Sequence, residues 1–308
     1  MCRLWVIYFL CFLFTTNVIA QCCMPGSPAG GSSNQGTMLP KDLRVIAFYQ
    51  FSNGNHFFTG SKKQEYNYIE GAHYHFTGFS LAYGITPKMT VEMESGYFLN
   101  RTIRYSEKGM KDNPTFHSKG LADIVLLTKY ALYKNKSHRW EITPILGARI
   151  PSTLSPQIVE GEILNIDLQP STQSFGLLGG MFIYKGLPNK KTHLFWNNRI
   201  VYSFPNRQQY QFGVSWNSAL FVSHSFNHRF TIIGQFRNEW RQQDSKNDYF
   251  RDSTGSNVVL FAPQFNFSAS QKWNFSAQVE LPVYHYYQGT QLARSLSAAI
   301  VLNRLFRF

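Results

Sequence analysis

Charged side chains occur at every second position of several segments, and they are the residues whose types and spacing could do chemistry in this chain. Around 229–241, Arg, Gln and Glu alternate with Phe, Ile and Trp. Such alternation predicts β-strands with one polar and one apolar face. The charged residues that oppose an apolar face on their own predicted strand are Glu92, Glu94, Arg104, Asp123, Lys129, Glu141, Arg149, Arg199, Arg229, Arg237, Glu239, Arg241 and Glu280.

This set should point into the lumen of a closed sheet whose other face meets lipid, because an ionised side chain facing lipid is costly near the midplane. We therefore predict that it lines a solute pathway. Basic residues outnumber acidic ones by seven to six, which predicts at most a weak preference for anions. On adjacent strands we expect Lys129 to pair with Glu141, and Asp123 with Arg149. Such pairs would either brace the interior or form a charged constriction.

Histidines, a serine and carboxylates are also candidates for catalysis or metal binding. Nucleophilic catalysis needs a nucleophile, a base and a group that orients the base. The candidates, none of them in a recognisable motif, are Ser223, His224, His285, His73, His75, Glu92 and Glu94. We predict that the chain is not an enzyme, with an outer-membrane hydrolase as an alternative. His73 and His75 share a strand face, and the thiolates of Cys22 and Cys23 would favour Cu(I) or Zn, so a non-conducting structural or metal-binding barrel stays open.

The first twenty residues predict a cleaved secretory signal peptide. Arg3 precedes the apolar run LWVIYFLCFLF, and small or short side chains, Val18 and Ala20, stand where a signal peptidase reads. We expect cleavage after Ala20; lipidation of Cys22 is an alternative that the preceding Gln disfavours. Residues 21–41 are rich in Gly, Ser and Pro and predict a flexible periplasmic lead-in.

The composition is typical of a membrane barrel. Without Arg3 the chain has 29 Lys and Arg against 17 Asp and Glu, a charge of +12. A secreted chain without a zinc-finger or helix-turn-helix pattern argues against nucleic acid as the partner, so we expect basic loops that meet anionic lipid and lipopolysaccharide. Aromatic residues make up 16% of the chain, yet its mean hydropathy is negative. A barrel has this property because lipid-facing and lumen-facing residues alternate.

The pattern predicts twelve strands in one domain, 42–308, with short turns alternating with longer loops, as in a barrel whose two termini are periplasmic. The chain ends in the amphipathic segment 290–308 and an aromatic residue, Phe308, which would be recognised by the barrel-assembly machinery. The predicted strands are 42–53, 71–85, 88–106, 119–134, 138–150, 172–185, 192–204, 208–226, 228–243, 256–269, 272–284 and 290–308.

Three segments between 120 and 176 resemble a known group of proteins. GLADIVLLTKY contains a G-x-G-D-x-x-L-x-x-K-Y motif in which Ala122 replaces the second glycine, and GARIP and DLQPSTQ follow at 147–151 and 167–173. These segments are similar to the outer-membrane MetA-pathway of phenol degradation and FadL-like transporter barrels. In the last segment Ser171 and Gln173 replace the family's glycines. The resemblance implies outer-membrane passage of small molecules.

The sequence thus predicts an all-β protein, a transmembrane antiparallel up-and-down β-barrel of about twelve strands in the bacterial outer membrane. Its predicted function is a channel or transporter for a small solute, without a cofactor. Loop 151–171, which carries Asp167 and Gln169, is long enough to fold into the mouth as a constriction. The sequence does not name the solute or the oligomeric state.

Overall fold

The structure, a computed structural model, describes residues 36–65, 68–107, 114–159, 161–189 and 191–308. The predicted signal peptide, most of the lead-in, Cys22 and Cys23 therefore lie outside the described residues. Within these ranges, no helix has the length and apolar character needed to cross a membrane.

Twelve antiparallel strands form one closed barrel, in which every strand pairs with its two neighbours and the last strand pairs with the first. The fourth strand consists of three segments. The strands are β1 Asp42–Gly54, β2 Ile69–Thr86, β3 Met89–Tyr105, β4 Thr115–Leu121 with Ile124–Tyr130 and Tyr133–Asn135, β5 Trp140–Ile150, β6 Gly176–Gly186, β7 Thr192–Ser203, β8 Ser215–Ser225, β9 Phe230–Arg241, β10 Ser256–Ser268, β11 Trp273–Ala293 and β12 Leu296–Arg307.

The two ends of the barrel differ in the length of their connections. The end that carries the start of β1 and the finish of β12 has short connections, such as 87–88 and 226–229, and is called the turn end. The opposite end has the long connections 55–68, 151–175 and 242–255, and is called the loop end. The predicted strand number is confirmed, and the predicted alternation of short and long connections holds except at the two-residue connection 294–295 of the loop end.

The strands alternate between an exposed apolar outer face and a buried inner face. In β9, Ile232 and Phe236 are exposed, whereas Gln235, Arg237 and Glu239 are buried. Because side chains of a strand point to opposite faces in turn, this pattern places the polar set inside the barrel and the apolar set on the outer wall. The two faces of β9 agree with the alternation in the sequence.

Two predicted boundaries at the loop end are wrong. Strand β8 begins at Ser215 and not at 208, because Tyr210–Gln211 pairs instead with Ser245–Lys246 of another loop. Strand β11 continues through the predicted loop 285–289 to Ala293, so that only Arg294 and Ser295 connect it to β12. A hairpin in loop 55–68, His56–Gly60 with Lys62–Gln64, pairs with the upper part of β11 and satisfies its backbone groups.

The described end of the predicted lead-in is tied to the barrel. The Thr37 amide donates a hydrogen bond of 2.6 Å to Glu141 Oε1, and the Met38 amide donates one of 2.8 Å to Thr90 Oγ1. Met38 is buried. Residues 36–40 therefore partly close the interior at the turn end, where a flexible segment was predicted.

Charge is distributed unequally between the two ends. At the loop end the described charged side chains are mixed, with Lys62, Lys63 and Arg104 close in sequence to Glu65, Glu70 and Glu107. Apart from Glu92, which is paired with Lys129 and Arg44 in the interior, the acidic side chains that the structure describes at the turn end are Asp42 and Glu141. The basic side chains of the turn end are Lys41, Lys88, Lys134, Lys136, Arg139, Lys185, Lys191, Arg229, Lys272, Arg304 and Arg307.

Candidate functional site: the barrel interior

The barrel encloses a cavity of about 350 Å³. One part of its wall is aromatic, with Phe48, Phe76 and Phe98 of three successive strands in mutual ring contact at 5.8 and 4.7 Å. The rest carries ionised side chains from β3, β4, β5, β7 and β9 and from loop 151–175. A cavity that combines apolar walls with a few oriented polar groups is the usual form of a small-molecule site.

Eleven of the thirteen residues predicted from the sequence face the interior. Eight of these are buried: Glu92, Asp123, Lys129, Glu141, Arg149, Arg237, Glu239 and Glu280. The side chains of Glu94, Arg199 and Arg241 are 17–19% exposed and form interior ion pairs.

Arg104 and Arg229 do not lie inside, so their assignment to the lumen lining is wrong. The pairing of β3 with β4 shifts between Phe98 and Arg101, and one extra residue exchanges the two faces of a strand. Arg101 therefore points inward, while the Arg104 side chain is 62% exposed and pairs with Glu70 at 3.8 Å. Arg229 precedes β9, in an exposed turn.

An ion pair spans the lumen between strands that are not neighbours. Arg199 of β7 donates two hydrogen bonds of 2.9 Å to the two carboxylate oxygens of Glu94 on β3. Three strands, β4 to β6, separate β3 from β7 along the wall. This pair, here called the crossbar, divides the interior space, and parity along single strands could not have revealed it.

On the side of the crossbar nearer the turn end, Glu92 is surrounded by basic side chains. Lys129 Nζ lies 2.5 Å from Glu92 Oε2, Arg44 Nη2 lies 3.9 Å from the same atom, and Ser80 donates a hydrogen bond to Oε1. The predicted pair of Lys129 with Glu141 is therefore wrong. Register places Lys129 opposite Ile145, whereas Lys134 lies opposite Glu141 and forms a 3.2 Å ion pair with it.

A second network lies between β9 and β11. Arg237 contacts Glu239 at 2.9 Å and Glu280 at 2.7 Å, and Arg294 of the connection to β12 pairs with both carboxylates. Nearby, Arg241 and the Tyr210 hydroxyl both bind Asp244. Each buried charge of this network is paired with one of opposite sign. Because the pairs join β9, β11 and the connection to β12, they stabilise this part of the barrel wall.

Loop 151–175 folds into the barrel. Residues 167–174 are all buried, and the ring of Pro170 packs over Gly120 of β4. The Gly120 φ of 154° suits glycine, and a Cβ there would lie 3.1 Å from Pro170 Cγ. Gln173, at one of the glycine positions of the resemblance, has a φ of 58°. The predicted constriction loop thus occupies the interior.

Asp123 holds the tip of this loop. Its carboxylate accepts hydrogen bonds from the Ser171 hydroxyl at 2.6 Å and from both the amide and hydroxyl of Thr172. Arg149 Nε lies 3.5 Å from Asp123 Oδ2, so the predicted Asp123–Arg149 pair is confirmed. One more anchor is the hydrogen bond of 3.0 Å that Arg101 donates to the Gln169 carbonyl.

Asp167 is the buried carboxylate of the inserted loop. It lines the cavity, the residue is 7% exposed, and its Oδ2 atom has no hydrogen-bond partner among the described residues. Loss of water contact raises the pKa of Asp167 to about 7, against the opposing effect of Arg101. The neighbouring Leu164 and Leu168 pack into an apolar cluster with Phe57 and Leu292 at the loop end.

The alternation in the sequence missed five interior charged residues, because they lie in irregular segments or on strands without a clear polar face. These are Arg44, Arg101, Asp167, Asp244 and Arg294. With them, and apart from Asp42 at the turn end of β1, the interior holds eight basic and eight acidic side chains among the described residues. They are Arg44, Arg101, Lys129, Arg149, Arg199, Arg237, Arg241, Arg294, Glu92, Glu94, Asp123, Glu141, Asp167, Glu239, Asp244 and Glu280.

The residues considered for catalysis or metal binding are not assembled into a site in the described part of the chain. His73 and His75 have ring centroids 5.7 Å apart, but no group of three or more potential ligands is found among the residues that the structure describes. His224 Nδ1 lies 2.9 Å from Thr192 Oγ1, and His285 packs edge-on against Phe58.

Comparison with known proteins gives structural matches alone. No family model and no curated protein matches the chain. The COG4313 outer membrane channel from Pseudomonas putida F1 is similar to it, with a TM-score of 0.70 and 12% identity over 92% of this chain and 100% of that chain. The chain shares its fold with an outer-membrane channel.

Two porins are similar to a lesser degree. The NanC porin has a TM-score of 0.49 and 12% identity over 85% of this chain and 98% of that one. The KdgM porin in complex with disordered oligogalacturonate has a TM-score of 0.47 and 6% identity over 85% and 99%. The likeness to the COG4313 channel, at a TM-score of 0.70, establishes the barrel fold. The resemblance of segments 120–176 to the phenol-degradation family stays a prediction.

Proposed function

We propose that this protein is an outer-membrane channel or transporter through which a small solute passes along the charged lumen. The observation that carries the proposal is the cavity of about 350 Å³ inside a closed barrel, lined by ionised side chains from at least five strands. Burying ionised side chains costs free energy, so a cavity surrounded by so many of them favours a function inside the lumen.

The outer wall supports insertion into a membrane. Exposed apolar side chains cover it from Leu146 on β5 to Ile300 on β12, and Trp140 and Trp273 begin strands at the turn end. Aromatic residues at strand ends and an apolar band between them are typical of outer-membrane barrels. Under this proposal the turn end is periplasmic, lipid and lipopolysaccharide surround the wall, and the assembly machinery binds the strand that ends at Phe308.

The interior is neither wide open nor sealed by apolar packing. The crossbar, the inserted loop and residues 36–40 all narrow it, and each is held by polar contacts that can exchange with water or solute. Since the interior carries similar numbers of basic and acidic side chains, an ion crossing the lumen meets little net fixed charge. The proposed channel therefore has weak ion selectivity, and shape and polarity decide which solute enters.

Single-channel recording of residues 21–308 in a planar bilayer tests the proposal. Two adjacent residues of β8 provide a matched pair of variants: Ala219 lines the cavity and is buried, while Leu220 is 51% exposed on the outer wall. We expect discrete conductance steps that Ala219→Trp reduces several-fold and Leu220→Trp leaves unchanged. A folded, heat-modifiable protein that stays silent, or equal effects of both variants, would refute solute passage through this lumen.

A further inference from the structure

The outer surface of the turn end carries basic side chains that are held against aromatic rings. Lys185 Nζ lies 4.7 Å from the centroid of the Trp140 ring, and the Arg304 guanidinium lies 4.6 Å from that of Trp273. The Arg304 guanidinium also lies 4.3 Å from the centroid of the Phe306 ring. Each cation and its ring are opposite residues of paired strands, and both belong to the outward set of their strands.

These two positions lie where an interfacial headgroup would be. Trp140 and Trp273 are the first residues of β5 and β11, below the apolar wall, and Trp rings prefer the level of lipid headgroups. The cations therefore stand at the edge of the membrane and not in the aqueous lumen. Lys185 is fixed further by a hydrogen bond of 3.0 Å to the His138 carbonyl.

The charge balance of the turn end indicates an anionic ligand. Apart from the interior Glu92, the turn end carries eleven basic side chains and only two acidic ones among the described residues. Both of these carboxylates are already paired, Asp42 with Arg307 at 3.9 Å and Glu141 with Lys134 at 3.2 Å. The loop end shows no such excess. A surface that collects positive charge beside an apolar band fits a ligand with a negative head and apolar chains.

We propose that the turn end binds anionic phospholipids of the adjoining leaflet, with the Lys185–Trp140 and Arg304–Trp273 pairs as its headgroup sites. The lipid phosphate accepts hydrogen bonds from the cation, the indole ring packs beside the glycerol region, and the acyl chains lie on the outer wall. The proposal rests on membrane insertion, which is part of the proposed function, and is independent of conductance.

Native mass spectrometry of the folded chain, released from mixed phosphatidylglycerol and phosphatidylcholine vesicles, tests this site. We expect retention of phosphatidylglycerol over phosphatidylcholine. The variant Lys185→Gln/Arg304→Gln should lower this preference by roughly fivefold for each cation removed. The control variant Lys62→Gln/Lys63→Gln removes the same charge from the loop end and should keep the preference.

A second measurement uses the unmodified protein. Raising the salt concentration should weaken the preference, because screening shortens the range of charge attraction, while millimolar inorganic phosphate should not compete if the acyl chains are needed. Equal retention of both lipids, an equal loss in both variants, or displacement by inorganic phosphate would overturn the proposal. If the protein retains phosphatidylglycerol but shows no conductance, the proposed solute pathway alone is refuted. If it conducts but shows no lipid preference, the proposed headgroup sites alone are refuted.

Discussion

Removing the crossbar should open the lumen. Its two hydrogen bonds join side chains that are 19% and 17% exposed. Hydrogen bonds to charged groups contribute roughly 1.5–3 kcal/mol each when buried, and solvent screening lowers this for partly exposed pairs. We therefore take about 2 kcal/mol for the whole crossbar. Since 1.4 kcal/mol corresponds to a factor of ten, losing the crossbar should raise the ratio of molecules in which the two side chains are apart to those in which they are joined by about 30-fold.

The double variant Glu94→Gln/Arg199→Gln is the suitable perturbation, because it removes both charges and leaves neither buried alone. Single-channel recording should show higher mean conductance with unchanged ion selectivity. The single variants separate charge from blockage: Glu94→Gln leaves Arg199 uncompensated and should favour anions, whereas Arg199→Gln should favour cations. Their reversal potentials should move in opposite directions.

A control of the same composition exists on the outer surface. Glu70 and Arg104 form an exposed ion pair at the loop end, and Glu70→Gln/Arg104→Gln should leave conductance and selectivity unchanged. Two results would refute the role of the crossbar. One is wild-type conductance in the double variant, and the other is a shift of both single variants toward the same ion.

The inserted loop and the aromatic wall give three more predictions. Burial raises the pKa of Asp167 to about 7, so the packed loop is fully stable below the ordinary pKa of 3.8 and loses stability as pH rises through 7. Conductance should therefore increase from pH 6 to 8, and Asp167→Asn should abolish this pH dependence. Asp123→Asn removes the charged acceptor at the loop tip, at a cost of about 1.5–3 kcal/mol; proteolysis within 151–175 should accelerate, and unchanged cleavage would contradict the anchoring. A Cβ at Gly96 would lie 2.3 Å from the Phe76 ring; Gly96→Ala should destabilise the barrel by about 1–3 kcal/mol in heat-modifiability measurements, whereas Gly179→Ala, with open space around it, should not.

The architecture was predictable because each barrel strand has one apolar face toward lipid and one polar face toward the lumen, and its sequence alternates accordingly. Alternation over ten or more residues, as in β9, needs no knowledge of partners, and short turns separate such segments clearly. The same parity placed Asp123 and Arg149 on one face of neighbouring strands. Parity succeeded for the faces of regular strands, but it does not fix which residues of two strands lie opposite each other, and the expected Lys129–Glu141 pair was wrong for that reason.

The other errors occurred at an irregularity within a strand or where geometry depends on more distant parts of the chain. A single inserted residue after Phe98 reverses the outward and inward positions of Arg104 and Arg101, and periodicity alone cannot locate such a shift. The extent of β11 depends on a hairpin in the first loop, more than two hundred residues away. The crossbar joins β3 to β7, so neither strand indicates the partner of Glu94.

The crossbar also has a mechanical consequence. Backbone hydrogen bonds between strands fix the circumference of a barrel, but they hardly resist its flattening into an ellipse. A bond between β3 and β7 acts as a strut along a chord of that cross-section, so it keeps the cylinder round against lateral pressure from the bilayer. A substitution that breaks the crossbar should therefore widen the lumen and also make the cylinder easier to flatten.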